Sequence, residues 1–357
     1  MFRKLTVFVL GAGASVHYGY PTGAELIDGV RERAGVLLRH VEGRIKDRLN
    51  NMLDYQTAHY GQFDPASMEH HKRTRSECEQ FINNLNEFNP LSIDHFLNQH
   101  PSLAPLGKML IANVLRSRQR QTKERFPGDG AVDAIQRTRH DWLRFVTHEL
   151  TSGASRDDFV SGNNVKFVTF NYETSLERRL TSALTASEVL GENVLIDSFL
   201  RDRIIHVYGS LRDIPVAGED HDTDREWNNA FRAGQDLCVI ADFDKDRYLA
   251  EQRLATSWLQ AAQEIFILGY GFDETNSRLI GLGQLQGEMG RSSHKNVHIT
   301  NLDDRGNINA EIQKLFVIGE TIGENPRITR DMSRTRIVKI SKKNVYQALA
   351  EDFSLRS

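Results

Sequence analysis

Seven short runs of β-branched and aromatic residues recur along the chain, and each ends in a turn or helix signal. They are Leu5–Leu10 (LTVFVL), Val165–Phe170 (VKFVTF), Ile204–Tyr208 (IIHVY), Leu237–Ile240 (LCVI), Ile265–Leu268 (IFIL), Val297–Thr300 (VHIT) and Ile337–Ile340 (IVKI). Runs this apolar, with little alternation, predict strands covered on both faces, the situation of a parallel sheet. Helical periodicity lies between several of them: Leu26, Ile27, Val30, Ala34, Leu37, Leu38 and Val41 share one face, and Leu176, Leu180 and Leu184 another. The alternation predicts an α/β, Rossmann-like, doubly wound fold on a mainly parallel sheet.

One stretch breaks that rhythm. From about residue 31 to 160 only helical periodicity and polar loops are legible, the loops at His59–Arg75 and Phe126–Gly130. The expected organisation is a Rossmann-like domain formed by residues 1–30 and 160–357, interrupted by a mostly helical insertion, 31–159, after the first βα unit. A short helix, Lys343–Phe353, is expected behind the last strand. With 39% hydrophobic and 26% charged residues the chain can bury a core, which excludes wholesale disorder. No apolar run approaches the roughly 20 residues of a membrane helix. The opening MFRKLTVFVLGAGAS has the basic start and short apolar stretch of a secretion signal. The glycines that end it open a nucleotide-type loop, and no cleavage site precedes the globular pattern, so it reads as a first strand.

Two cysteines, Cys78 and Cys238, make no disulfide framework, and a reducing cytoplasm is the expected compartment. Lys and Arg number 45 against 48 acidic residues, a net charge of −3, which excludes a polycation built for nucleic acid. The local basic run Arg116–Arg125 (RSRQRQTKER) reads as a solvated helix face, with a phosphate-contacting patch as the alternative. The pair His70-His71 has no recognisable cluster of ligands around it and reads as a loop pair rather than a metal site.

Gly11-Ala12-Gly13-Ala14-Ser15 follows the first strand directly and precedes a helix-compatible segment. Glycines at such a turn let the backbone approach a pyrophosphate, whose charge is favoured by N–H groups at a helix N-terminus. They also serve any tight strand–helix turn. The dehydrogenase fingerprint requires a third glycine, where this chain has Val16, and an acidic ribose ligand about 20 residues on, where this chain reads as helix. A nicotinamide dehydrogenase is therefore disfavoured.

Five elements, taken in order, resemble the sirtuin superfamily. Gly11-Ala12-Gly13-Ala14-Ser15 with Tyr18-Gly19-Tyr20-Pro21 resembles its opening NAD-binding loop. Thr169-Phe170-Asn171-Tyr172-Glu173 resembles its Thr-Gln-Asn-x-Asp element. His206 in His206-Val207-Tyr208-Gly209 is similar to the catalytic histidine of its His-Gly motif. Leu268-Gly269-Tyr270-Gly271-Phe272-Asp273 and Thr300-Asn301-Leu302-Asp303 look like its two later strand-end loops. Ser92-Ile93-Asp94-His95-Phe96-Leu97 is similar to a signature of the sirtuin-like group in bacterial antiphage systems, and Glu173 stands where that group has aspartate.

The resemblance implies that Gly11, Ala12, Gly13, Ala14, Ser15, Pro21, Asp94, Thr169, Gly269, Tyr270, Gly271, Asn301 and Asp303 bind NAD+, and that Asn171 and His206 are catalytic. Deacylases of the superfamily carry a zinc on four cysteines; two cysteines and no CxxC cannot build it, so no zinc is expected. Thr22-Gly23-Ala24-Glu25 also replaces the deacylase Phe-Arg pair. What remains is hydrolysis of the nicotinamide–ribose bond, an oxocarbenium-type cleavage that needs little acid catalysis. Asn171 would position water or ribose, and His206 would act as general base. The structural alternatives are Asn171 as cap of a helix near Thr174, His206 as a packed strand histidine, and Asp94 as cap of a helix near His95.

The resemblance further implies an antiphage, abortive-infection role, with activity gated by homo-oligomer assembly, the insertion or a partner. The partner class is a HerA-like DNA-translocating ATPase, or else a short Argonaute-type protein. The competing functions are a non-catalytic NAD+ or ADP-ribose sensor and a DNA-processing subunit of a complex.

Overall fold

The computed structural model describes residues 1–55, 65–125, 140–187, 193–211, 223–239, 246–286, 295–302, 306–316, 321–322, 327–330 and 336–355. Its sheet contains β1 (Thr6–Leu10), β2 (Val165–Thr169), β3 (Ile204–His206), β4 (Glu264–Leu268), β5 (Lys295–Thr300), β6 (Thr321–Ile322), β7 (Arg327–Arg330) and β8 (Arg336–Ser341), in the order β3-β2-β1-β4-β5-β8-β7-β6. The six strands from β3 to β8 are parallel. Beyond β8 the short β7 and β6 run antiparallel. The fold is α/β and Rossmann-like, with helices flanking a mainly parallel sheet. The chain winds outward from β1 to β2 and β3, then restarts on the other side of β1 with β4. The topological switch point lies between β1 and β4, outside whose carboxyl ends such folds bind ligands.

Register explains the core. Phe8 on β1 lies opposite Phe167 on β2 and Phe266 on β4, and Phe266 lies opposite His298 on β5. Neighbouring strands lie roughly 4.8 Å apart, so in-register rings on one face must stack. They do, with centroids 5.2, 5.0 and 4.3 Å apart. Phe2 meets Phe8 edge-on, and Trp142 packs against the same ring. This row of rings anchors the centre of the sheet and so fixes where β1, β2 and β4 end.

The chain divides into two compact units. The sheet unit comprises residues 1–20, 121–210 and 244–357; the helical unit comprises 21–120 and 211–243. The boundaries differ from the expected 31–159: the helical unit starts earlier, closes at Arg120 and takes in a second segment. Helices Leu143–Thr151 and Phe159–Gly162 belong with the sheet.

In the helical unit Gly23–Tyr55 packs against Pro65–Phe88. The second helix corrects the expectation of a polar loop over His59–Arg75, of which residues 59–64 lie outside the described residues. Its proline sits at the first position, where no N–H is needed. Arg73–Glu77 and Arg75–Glu79 form i,i+4 pairs at 2.9 Å, while Cys78, Phe81 and Leu85 form a narrow buried stripe. Phe126–Gly130 also lies outside the described residues.

Leu237–Ile240 is a further correction. Leu237, Cys238 and Val239 are buried but belong to no strand, and Ile240 lies outside the described residues. Behind β8, one turn over Val345–Gln347 continues as a π-turn to Asp352. Among the described residues no helix is long and apolar enough to cross a membrane.

Candidate functional site

At the carboxyl ends of β1 and β4 two turns lie directly against each other. Gly11 N–H donates to Leu268 O at 3.1 Å, and Gly13 N–H to Gly269 O at 3.0 Å. A Cβ on Gly269 would sit 2.2 Å from Ala14 N, and one on Gly13 would sit 2.8 Å from Gly269 Cα. Gly269 also has φ +59°, a left-handed conformation that glycine adopts at little cost. These glycines are therefore required by the approach of backbone to backbone. The space beside Gly271 is open.

The segment after Gly11 forms two short 3-10 turns, Ala12–Ala14 and Val16–Tyr18, and an α-helix begins only at Gly23 in the other unit. The expected helix N-terminus does not follow the glycine loop directly. Side chains fasten the loop instead. Trp142 Nε1 donates to Ala14 O at 2.8 Å, Tyr18 Oη donates to Asp141 Oδ1 at 2.6 Å, and Arg178 donates to Tyr20 Oη at 2.5 Å. Arg179 completes the Asp141 site as its ion-pair partner.

Asn171, two residues beyond the end of β2, joins this loop from the side. Its amide Nδ2 donates to Gly11 O at 3.1 Å and to Ser15 Oγ at 2.8 Å. Its own N–H donates to Thr169 Oγ1 at 3.0 Å. It caps no helix: Ser175–Ala186 has Thr174 at its N-cap with no side-chain capping bond, and Glu173 Oε2 accepts from Ser175 N–H at 2.6 Å. The other oxygen of Glu173 accepts from Ser15 Oγ in a short hydrogen bond. One buried carboxylate thus ties the glycine loop to the start of a helix. Beneath this cluster lies a recess of about 10 Å³ between Ser15, Tyr18, Trp142, Thr169, Asn171 and Glu173, room for about one water.

His206 closes β3 and is tied to Asn171 through the backbone. Its Nδ1–H donates to Asn171 O at 2.8 Å, and its Nε2 lies 2.5 Å from Glu177 Oε1, on the first turns of helix Ser175–Ala186. Both ring nitrogens face acceptors, an arrangement that only the doubly protonated imidazolium satisfies. Burial works against the charge, but Glu177, the Asn171 carbonyl and the nearby Glu173 outweigh it and raise the pKa to about 9. Burial likewise opposes the Glu177 charge; the imidazolium, with Arg178 beside it, overrides that and lowers its pKa. The result is an ion pair with side chains 10% and 29% exposed.

The remaining expected residues scatter. Asn301, just past β5, is buried, and its amide donates to Asn309 at 3.0 Å. Tyr270 packs against Phe170 and Phe272 in an aromatic wall at the ends of β2 and β4. Tyr208, which directly precedes Gly209, donates to Asn276, so the residue adjoining that glycine is a tyrosine and His206 stands two positions earlier. Pro21 and Asp94 belong to the helical unit. Ser92, rather than Asp94, caps helix Ile93–Gln99 by accepting from His95 N–H at 3.1 Å. Asp303 lies outside the described residues. The site residue that the sequence reading missed is Glu177: a polar position beside Leu176 and Leu180 reads as solvent face until folding brings it to the end of β3.

No family model, curated protein or solved structure matches this chain.

Proposed function

We propose that the chain is an NAD+ hydrolase that cleaves the nicotinamide–ribose bond to release nicotinamide and ADP-ribose, linear or cyclic. The observation that carries this reading is the convergence of Ser15, Asn171, Glu173 and His206 from three strand ends at the carboxyl edge of the sheet, the edge where Rossmann-like folds hold nucleotides. A dinucleotide is far larger than the recess, so it would lie outside the strand ends with its reacting ribose over Asn171. Asn171 positions the attacking water or ribose hydroxyl. The Glu173 carboxylate favours the positive charge that develops on the ribose as neutral nicotinamide leaves.

The base role foreseen for His206 changes in this reading. An imidazolium with both nitrogens engaged takes no proton at neutral pH. His206 instead fixes the Asn171 peptide, and the proton shed by the attacking water passes to Glu173 by way of the Ser15 hydroxyl, which donates to that carboxylate. The test is nicotinamide release from NAD+ by wild type, Asn171→Ala and His206→Ala, each checked for folding. Each substitution is expected to lower turnover by about 10²-fold or more. Undiminished release by both variants rules out this site as the seat of catalysis.

A second reading, an NAD+- or ADP-ribose-sensing subunit, is favoured by that same engagement of His206, since binding alone requires no free base. Tight NAD+ binding without nicotinamide release, persisting with a DNA-translocating ATPase and DNA present, is its signature. The motif resemblance alone supports an antiphage role and gating by assembly or a partner protein.

A further inference from the structure

Glu177 is hydrogen-bonded neither to the glycine loop nor to Asn171, yet it shares with His206 a hydrogen bond of 2.5 Å. The connection runs in one line: Glu177 Oε1 to His206 Nε2, His206 Nδ1 to the Asn171 carbonyl at 2.8 Å, and the Asn171 amide to Gly11 and Ser15. Three elements contribute to it: helix Ser175–Ala186, the end of β3 and the end of β2. A histidine at a strand terminus can rotate about χ1 and χ2; two acceptors on opposite ring nitrogens leave one orientation that satisfies both.

We propose that Glu177 is a positioning residue, which locks His206 against the Asn171 carbonyl and thereby sets the direction in which the Asn171 amide faces the glycine loop. The assignment rests on the hydrolase reading for its catalytic consequence, but its structural content is independent of it. Three titratable groups bear on the imidazole and its partner: Glu177, Glu173 and, toward Glu177, Arg178. Glu173 is committed to Ser15 and to the Ser175 N–H, so it does not take Glu177's place when that carboxylate is removed. Glu177 Oε2 is buried with no hydrogen-bond partner, so the carboxylate is held on one oxygen only and depends on His206 for its place.

The experiment compares wild type with Glu177→Gln and Glu177→Asp in two measurements. The first follows the His206 imidazole by NMR in isotopically labelled protein, its signal assigned by loss in His206→Asn. The wild-type ring should titrate near 9; in Glu177→Gln the midpoint should fall below the ordinary 6.5, and in Glu177→Asp it should stay well above it. The second measures nicotinamide release from NAD+ against pH. Glu177→Gln should lower kcat by about 10-fold or more while KM changes less than about threefold, because the residue orients and does not touch substrate. Glu177→Asp should recover part of that loss. An unmoved His206 midpoint in folded Glu177→Gln overturns the assignment, as does an unchanged kcat in an enzyme whose wild type turns over. If the wild type releases no nicotinamide while the midpoint falls as described, the hydrolase reading fails and the positioning of His206 by Glu177 stands. Should Glu177→Gln not fold, Glu177→Asp decides: a midpoint at or below 6.5 in that charged variant overturns the assignment.

Discussion

Asn171 serves two partners with one residue, its amide on the glycine loop and its carbonyl on His206, and neither contact is a helix cap. At this scale the charge state of His206 makes a stability claim. Its folded pKa is raised from 6.5 to about 9, so the stabilisation it contributes is complete below 6.5 and is lost as pH rises through about 9. Glu177 is shifted the other way, so its share is present above the ordinary 4.5 and is lost as pH falls through its lowered folded value. Thermal melting of wild type and His206→Gln across pH should therefore show the widest gap between 4.5 and 6.5, on the order of 2 kcal/mol, intermediate between exposed and fully buried pairs. The gap should narrow steadily toward pH 10; a gap that stays constant over that range contradicts a charged His206. Asn171 and His206 were legible as candidates because Thr169–Glu173 and His206–Gly209 resemble two sirtuin motifs, one just after an apolar run and the other within one. Glu177 was not, because helical periodicity marks only the buried face, and its partner lies 29 residues away in sequence.

Elements were legible to the extent that burial on both faces writes itself into composition. Six of the seven apolar runs are the six parallel strands, with ends shifted by one or two residues. The seventh, Leu237–Ile240, shows the limit of the signal: an apolar run reports burial, and Leu237–Val239 is buried without pairing in the sheet. The converse failure is β6 and β7, two and four residues long and containing charged and polar positions; a short antiparallel edge needs no continuous apolar run. In sequence the Gly11–Gly13 turn signals a close approach by a ligand; in the structure what approaches it is the Gly269 turn. A paired substitution tests that element. Gly269→Ala forces a side chain into a left-handed backbone and against Ala14 N, and should cost about 3 kcal/mol or more. Gly271→Ala, two residues on, meets nothing within 4 Å and should cost less than about 1 kcal/mol. Equal losses in chemical denaturation would mean that the two turns do not pack as described.

For the whole molecule the balance of charge decides between a nucleic-acid surface and an internally neutralised one. The net charge is −3, and the basic run from Arg116 to Arg125 is the sequence's best candidate for a phosphate-binding face. Within the helical unit its first members do not form such a face. Arg116 is buried, and Arg120 pairs with Glu226 at 2.9 Å, the two side chains 33% and 31% exposed; Asn113 adds a hydrogen bond to the same carboxylate at 3.2 Å. Arg118 is the exposed cation between them. Phosphate binding would give each contacting cation a share of the salt dependence, and loss of one contact would reduce the slope of log affinity against log salt by about 0.9. A packing role gives the opposite pattern. Arg120→Ala should lower stability by about 0.5–1 kcal/mol, as half-exposed pairs do, and leave duplex-DNA binding as it was. Arg118→Ala should change neither. The measurement is DNA retention by each variant between about 50 and 200 mM salt, alongside thermal melting. A reduced salt slope in Arg118→Ala with an unchanged melting curve would return the run to the phosphate reading, and with it a DNA contact made by the chain itself; an unchanged slope in both variants leaves Arg118 a solvated position and Arg120 a packing one.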